Sequence, residues 1–293
     1  MNSVQQVAVG APLFPEWFDL QPSSPIRQGD VLQAIATDCD RWRQTLVILT
    51  ADCDLAHAKH GGALTCVPLL EAPDYLLSFR AERLRDGLVT RLVAKLLKVY
   101  RSEARDGAVQ ISEERMRSWL AEEADTRALS AALKLAGASA ERFNSIALCA
   151  GALLSEEPSS IRQAVWSLAA AKLELGDVPT DDRARQAVAS DFASCLRELP
   201  GDALFLNEVS PAHVSGYVAY LRRVIELDDT VVALTASRLP GDAEYVRVSR
   251  LRSPYIYALT QRFASVFSAI GLPEEYEKAH DANAERVRSL EGI

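Results

Sequence analysis

Hydrophobic and polar positions divide the chain into three textures. Between about residues 12 and 72, apolar residues come in short runs of strand formers bounded by turn residues: DVLQAIA (30–36), TLVILTADC (45–53) and ALTCVPLLE (63–71). QTLVILT is a near-continuous apolar run, the pattern of a strand covered on both faces. HGG at 60–62 is turn chemistry, since Gly61 and Gly62 admit positive φ, and it predicts a hairpin between the second and third strands.

From about 73 to 199 the period changes to that of a helix. Leu84, Leu88, Leu92 and Leu96 recur with Val89, Val93 and Tyr100 as one apolar stripe. Further helices are predicted at 112–124, 125–137, 139–154, 159–176 and 180–199. Ser112, Ser139 and Thr180 serve as start signals, and Gly137 and Gly176 as C-terminal caps. The high alanine content implies thin, closely packed helices.

After about 200 the short β runs return: DALFLNEV (202–209), GYVAYLRRVIEL (216–227), TVVALT (230–235) and EYVRVSRL (244–251). An amphipathic helix follows at 253–271, with Tyr255, Leu259, Phe263, Val266 and Phe267 at helical spacing. Core packing is its default role and a partner surface the alternative. A polar helix closes the chain. Three early strands make a poor independent sheet. The economical architecture is therefore α+β: a split β-barrel from segments 12–72 and 200–252, an all-α insertion over 73–199 entering near Pro73, and C-terminal helices over 253–293 packing on the barrel.

Bulk properties narrow the class without fixing a function. No apolar run approaches the roughly 20 residues that span a bilayer, and the first 20 residues lack a basic region followed by an apolar segment, so no secretory leader is expected. Five scattered cysteines suit a reducing cytoplasm better than a disulfide framework. The net charge of −8 argues against a general nucleic-acid coat, though not against a local basic groove.

QGDVLQAI followed by WRQTLVILTADCDLA resembles the opening of the PemK/MazF-like small barrels, and GYVAYLRRVIELDDTVVALTASRL resembles their later strands. The resemblance covers about 90 residues in two pieces and implies an SH3-like barrel. The family's known members are RNA-cleaving toxins that use an Arg and a Ser or Thr near the second strand's end. By position these become Arg43 (or Arg41) and Thr50. Such chemistry needs a proton acceptor and a cation beside the phosphate. The approach to Arg41 is acidic here, ATDCD, which repels phosphate and turns the expectation from cleavage towards binding.

The stretch VILTADCDLAHAKHGG concentrates the remaining chemistry. Asp52 and Asp54, two apart on a strand, would share a face and could hold a cation or act as a base; the plainer reading is that they cap the following turn. Cys53, His57, His60 and Cys66 offer zinc-type ligands at a spacing that matches no standard pattern; otherwise they are small apolar residues and hairpin decoration. Cys53 as a nucleophile would need a base and a cationic neighbour. Arg91, Lys95, Lys98 and Arg105 share a helical face that could track phosphates or simply be solvated. Arg222, Arg223, Arg238, Arg247, Arg250 and Arg252 could form a second basic patch or bridge acidic side chains.

Three functions are consistent with these features. The first is a non-catalytic binding or adaptor protein with a protein partner, associated through the resemblance with bacterial toxin or antiphage-defence systems and carrying no cofactor. The second is an RNA- or DNA-cleaving endonuclease using Thr50 and Arg43. The third is a metal-dependent enzyme centred on Asp52 and Asp54, with zinc as the alternative cofactor. A cytoplasmic location is expected for each.

Overall fold

Strand formers from both ends of the chain meet in one sheet. The computed structural model describes residues 15–103, 109–122, 125–211, 216–236, 239–268 and 274–290. Its strands are β1 (Trp17–Phe18), β2 (Asp30–Ala34), β3 (Thr45–Ile48), β4 (Ala63–Glu71), β5 (Ala203–Leu206), β6 (Tyr217–Tyr220), β7 (Ile225–Asp228), β8 (Val232–Ala233) and β9 (Tyr245–Leu251). They run in the order β1-β9-β2-β3-β4-β6-β5, with β7 also on β4 and β8 on β9. The sheet is a curled antiparallel half-barrel, except that β8 pairs with β9 in parallel. The late strand β9 thus lies between two early ones, which joins the N- and C-terminal segments as their separate weakness predicts.

Burial explains why β3 sits centrally. All four of its residues are buried, which matches the unbroken apolar run. Leu46 and Ile48 join Leu32, Leu64, Cys66, Ile225, Leu227 and Tyr245 in one core. Gly29 enters β2 with φ +87°, a conformation that favours glycine, and a Cβ there would press on Ile256 Cγ1 at 3.3 Å.

Several predicted strands are shorter than their apolar runs. TLVILTADC does not continue to 53: β3 stops at Ile48, and residues Asp52–Ala56 form a short helix. GYVAYLRRVIEL is broken into β6 and β7, with Arg222, Arg223 and Val224 all exposed between them. Leu221 N–H turns instead to Asp202 O at 2.9 Å. In TVVALT only Val232 and Ala233 are strand, after a 3₁₀ turn at Asp229–Val231. Gly61 and Gly62 do take positive φ, 60° and 83°, before β4.

The helices, in chain order, are α1 (Arg41–Gln44), α2 (Asp52–Ala56), α3 (Ala72–Tyr75), α4 (Glu82–Glu103), α5 (Glu113–Glu122), α6 (Thr126–Ala132), α7 (Gly137–Ser155), α8 (Ile161–Leu175), α9 (Asp181–Arg197), α10 (Ser253–Ser268) and α11 (Glu274–Leu290). A π-helical stretch, Leu76–Ala81, joins α3 to α4. The predicted stripe is the seam of a helical core: Leu88, Leu92 and Leu96 pack with Met116, Phe143, Ile146 and Ala150. Thr180 caps α9 by accepting from Arg183 N–H at 3.4 Å, and Gly176 closes α8 with φ 80°. Gly137 and Ser139 do not play their predicted parts. α6 ends at Ala132, α7 starts at Gly137, and the Ser139 hydroxyl donates to Glu103 at 2.7 Å.

Two compact units result. One takes in the described parts of Met1–Leu69, Pro200–Val214 and Ala219–Ile293, and the other Leu70–Leu199 with Ser215–Val218. In the first, α10 buries Ile256 and Leu259 but leaves Tyr257 and Phe267 exposed. No helix among the described residues is long and apolar enough to cross a membrane.

Candidate functional site

The singled-out residues of the sheet unit gather at the two ends of β3. At its C-terminal end the chain turns into α2, so Asp52 and Asp54 lie in the first turn of a helix and not on one strand face. There, carboxylates suit the unpaired N–H groups and the helix dipole. The Asp52 carboxylate also accepts from Gln28 N–H at 2.9 Å, while the Gln28 side chain donates to Leu49 O at 2.8 Å. The Thr50 hydroxyl, buried, accepts from Thr65 N–H at 2.7 Å. These bonds fix the β3–α2 corner against β4 and the loop before β2.

His60 is tied on both ring nitrogens. Nε2 lies 3.0 Å from Asp229 Oδ2 and Nδ1 3.3 Å from Asp54 O. Two acceptors are satisfied together only by the doubly protonated ring. The Asp229 carboxylate first, and the Asp54 carbonyl second, accordingly raise the His60 pKa above its ordinary 6.5. His57 and Cys53 are exposed, whereas Cys66 is buried in β4 and burial pushes its thiol up to about 12. The zinc-type set Cys53, His57, His60 and Cys66 therefore does not assemble. Among the described residues no group of three or more His, Cys, Asp or Glu side chains converges as a metal ion requires.

The other end of β3 carries α1. Asp40 caps this single turn by accepting from Trp42 N–H at 3.2 Å. The Trp42 ring lies 5.4 Å from that of Tyr220, and the Arg223 guanidinium stands 4.6 Å over it, near enough for a cation–π contact. Arg43 hydrogen-bonds the Tyr245 hydroxyl, which opposes the upward push of burial on that phenol. Arg43 and Thr50 are thereby kept apart. The four-residue strand β3, about 13 Å long at ~3.3 Å per residue, lies between them.

Most predicted phosphate-binding cations already have carboxylate partners. Arg91 pairs with Asp177 at 2.5 Å and Lys95 with Glu174 at 3.5 Å. Arg222 pairs with Asp202, and Arg223 with Asp40 at 3.7 Å. Lys98 is exposed on α4. Arg247 and Arg250 turn inward, where Asp30 receives Arg247 Nη1 at 3.2 Å and Arg250 Nε at 2.5 Å. Arg252 Nε donates to Trp17 O at 3.1 Å. Arg105 and Arg238 lie outside the described residues.

Sequence reasoning missed Trp42 and Tyr220, and it missed Asp30 as the receptor of the inward arginines. A tryptophan flanked by two arginines in RWRQ is the signal that could have marked the first of these. Comparison with known proteins adds no likeness: no family model, curated protein or solved structure matches the chain.

Proposed function

We propose that this protein is a non-catalytic binding or adaptor protein with a protein partner. On this reading the half-barrel is an SH3-like sheet of the PemK type, interrupted by the helical insertion. Within QGDVLQAI, the segment that carries the resemblance, Gly29 takes positive φ and Asp30 is buried at the start of β2. The observation that carries the function is the separation of Arg43 and Thr50 along β3, each with its own partner. A nuclease of the toxin type needs both at one phosphate, and the neutralised arginines offer little for a nucleic acid to replace. The resemblance further associates the protein with toxin or antiphage-defence systems.

The test is expression in a bacterial host with growth and total RNA followed. The reading expects unimpaired growth and intact RNA, together with one protein recovered stoichiometrically from the native host on the tagged chain. Growth arrest with RNA cleavage, abolished by Thr50→Ala and Arg43→Ala, would overturn it in favour of the endonuclease.

A further inference from the structure

The turn between α2 and β4 turns one side chain inward. Residues 56–59 and Gly61 are exposed, whereas the His60 side chain is only 11% exposed. The turn's own backbone bonds are uneven. Lys59 N–H reaches Asp54 O at 2.8 Å, but Ala58 N–H to Leu55 O and Gly61 N–H to Ala58 O are long, at 3.4 and 3.5 Å. Ala58 takes φ 52°, a left-handed conformation that sterics disfavour for a residue with a Cβ. Two ties run to the 3₁₀ turn Asp229–Val231: Asp229 N–H donates to Gly62 O at 2.8 Å, and the His60 ring meets the Asp229 carboxylate.

The ring tie holds only with both ring protons in place. A neutral imidazole keeps one N–H. Kept on Nε2 for Asp229, it leaves the Nδ1 lone pair facing the Asp54 carbonyl 3.3 Å away. Moved to Nδ1, it leaves the Nε2 lone pair facing the Asp229 carboxylate 3.0 Å away. The groups around the ring favour its charged form, Asp229 of the 3₁₀ turn first and Asp54 of α2 second. Asp228, at the end of β7, is occupied by Thr230 N–H at 2.9 Å. His57 and Lys59 of the turn are exposed, and the buried thiol of Cys66 on β4 donates to Leu64 O.

We propose that this turn is a proton-operated latch, closed while His60 carries both ring protons and opening locally when one is lost. The latch stands whether or not the binding-protein reading does. Its sign follows from the contacts. The closed turn raises the His60 pKa above 6.5, so closure is complete below about that value and is lost as pH rises through the raised one. A single proton limits the change to about ten-fold per pH unit.

The test is brief trypsin digestion of the full chain between about pH 5.5 and 9, with cleavage after Lys59 read by mass spectrometry. Each rate is divided by that of a synthetic peptide of residues 51–65, in which Lys59 is the only Lys or Arg, so the enzyme's own pH dependence cancels. The wild-type ratio should be flat below about pH 6.5 and then rise by at least about three-fold. His60→Gln has no ring proton to lose, and its ratio should not change with pH. In Asp229→Asn a neutral ring satisfies both neighbours, Nδ1–H donating to Asp54 O and Nε2 accepting from the amide, so its ratio should also stay flat. Circular dichroism of both variants checks their fold.

A flat wild-type ratio, or a rise of the wild-type size in either variant, overturns the proposal. So does a rise matched by fragments from the rest of the chain, because that marks unfolding of the whole and not of this turn.

Discussion

Removing the charge of Asp30 tests how the half-barrel is locked. Asp30 and Arg247 are fully buried side chains, and Arg250 is nearly so. The carboxylate accepts from Arg27 N–H at 2.9 Å, from Arg247 Nη1 at 3.2 Å, and from Arg250 Nε and Nη2 at 2.5 and 3.1 Å. The two guanidiniums also donate to Ser24 O and Pro25 O, at 2.7 to 2.9 Å, so one carboxylate ties β9, the start of β2 and the preceding loop together. Each charge pair is worth about 4 kcal/mol at a ~4 Å charge separation and an effective dielectric of ~20, before desolvation offsets much of it. Asp30→Asn removes the attraction while leaving the cations inside, which typically costs about 3–5 kcal/mol. For a unit of this size that is a fall in Tm of about 6–20 °C.

The assay is urea unfolding followed by tryptophan fluorescence in a Trp119→Phe/Trp166→Phe background, which confines the signal to Trp17 and Trp42 of the sheet unit. Arg247→Met in the same background completes a double-mutant cycle, with an expected coupling of at least about 2 kcal/mol because Asp30→Asn leaves the fully buried Arg247 charge without its carboxylate, whereas Arg247→Met leaves Asp30 its pair with Arg250. A loss below about 1 kcal/mol for Asp30→Asn, or strictly additive effects, would refute the argument that this ion cluster locks the sheet.

Other consequences follow from the corner at the opposite end of β3 and from the thiols. Thr50→Val should cost about 1–3 kcal/mol in urea unfolding, because Thr65 N–H loses its acceptor, whereas Thr50→Ser should cost less than half as much. His60, whose pKa is raised on folding, contributes stability that is complete below its unfolded pKa of about 6.5 and is lost as pH rises through the folded value. The melting advantage of wild type over His60→Gln should therefore shrink between pH 6 and 9. In a thiol-reagent assay on the native protein, exposed Cys53 should react first. Buried Cys66, whose thiol burial raises to about 12, should react only on unfolding.

Local pattern determined much of this protein. The leucine stripe of α4 needed only its own period to specify a buried helical face, because side chains three and four apart share a surface whatever lies opposite. QTLVILT likewise specified a strand buried on both sides, and Gly61 and Gly62 a turn with positive φ. The weakness of three early strands by themselves even implied that later strands must join them. Tertiary structure alone decided which face of β9 points inward. By hydropathy Val246 and Val248 should be buried. Instead Arg247 and Ser249 are, on the face they share with Tyr245 and Leu251, where Asp30 receives the one and Val209 O the other. The same holds for Arg43 and Thr50. Sequence places them seven residues apart, close enough to imagine as a pair, but β3 separates them, and at its two ends each finds a different partner. Burial of a charge and convergence of a site both depend on what comes from elsewhere in the chain, and no local pattern carries that information.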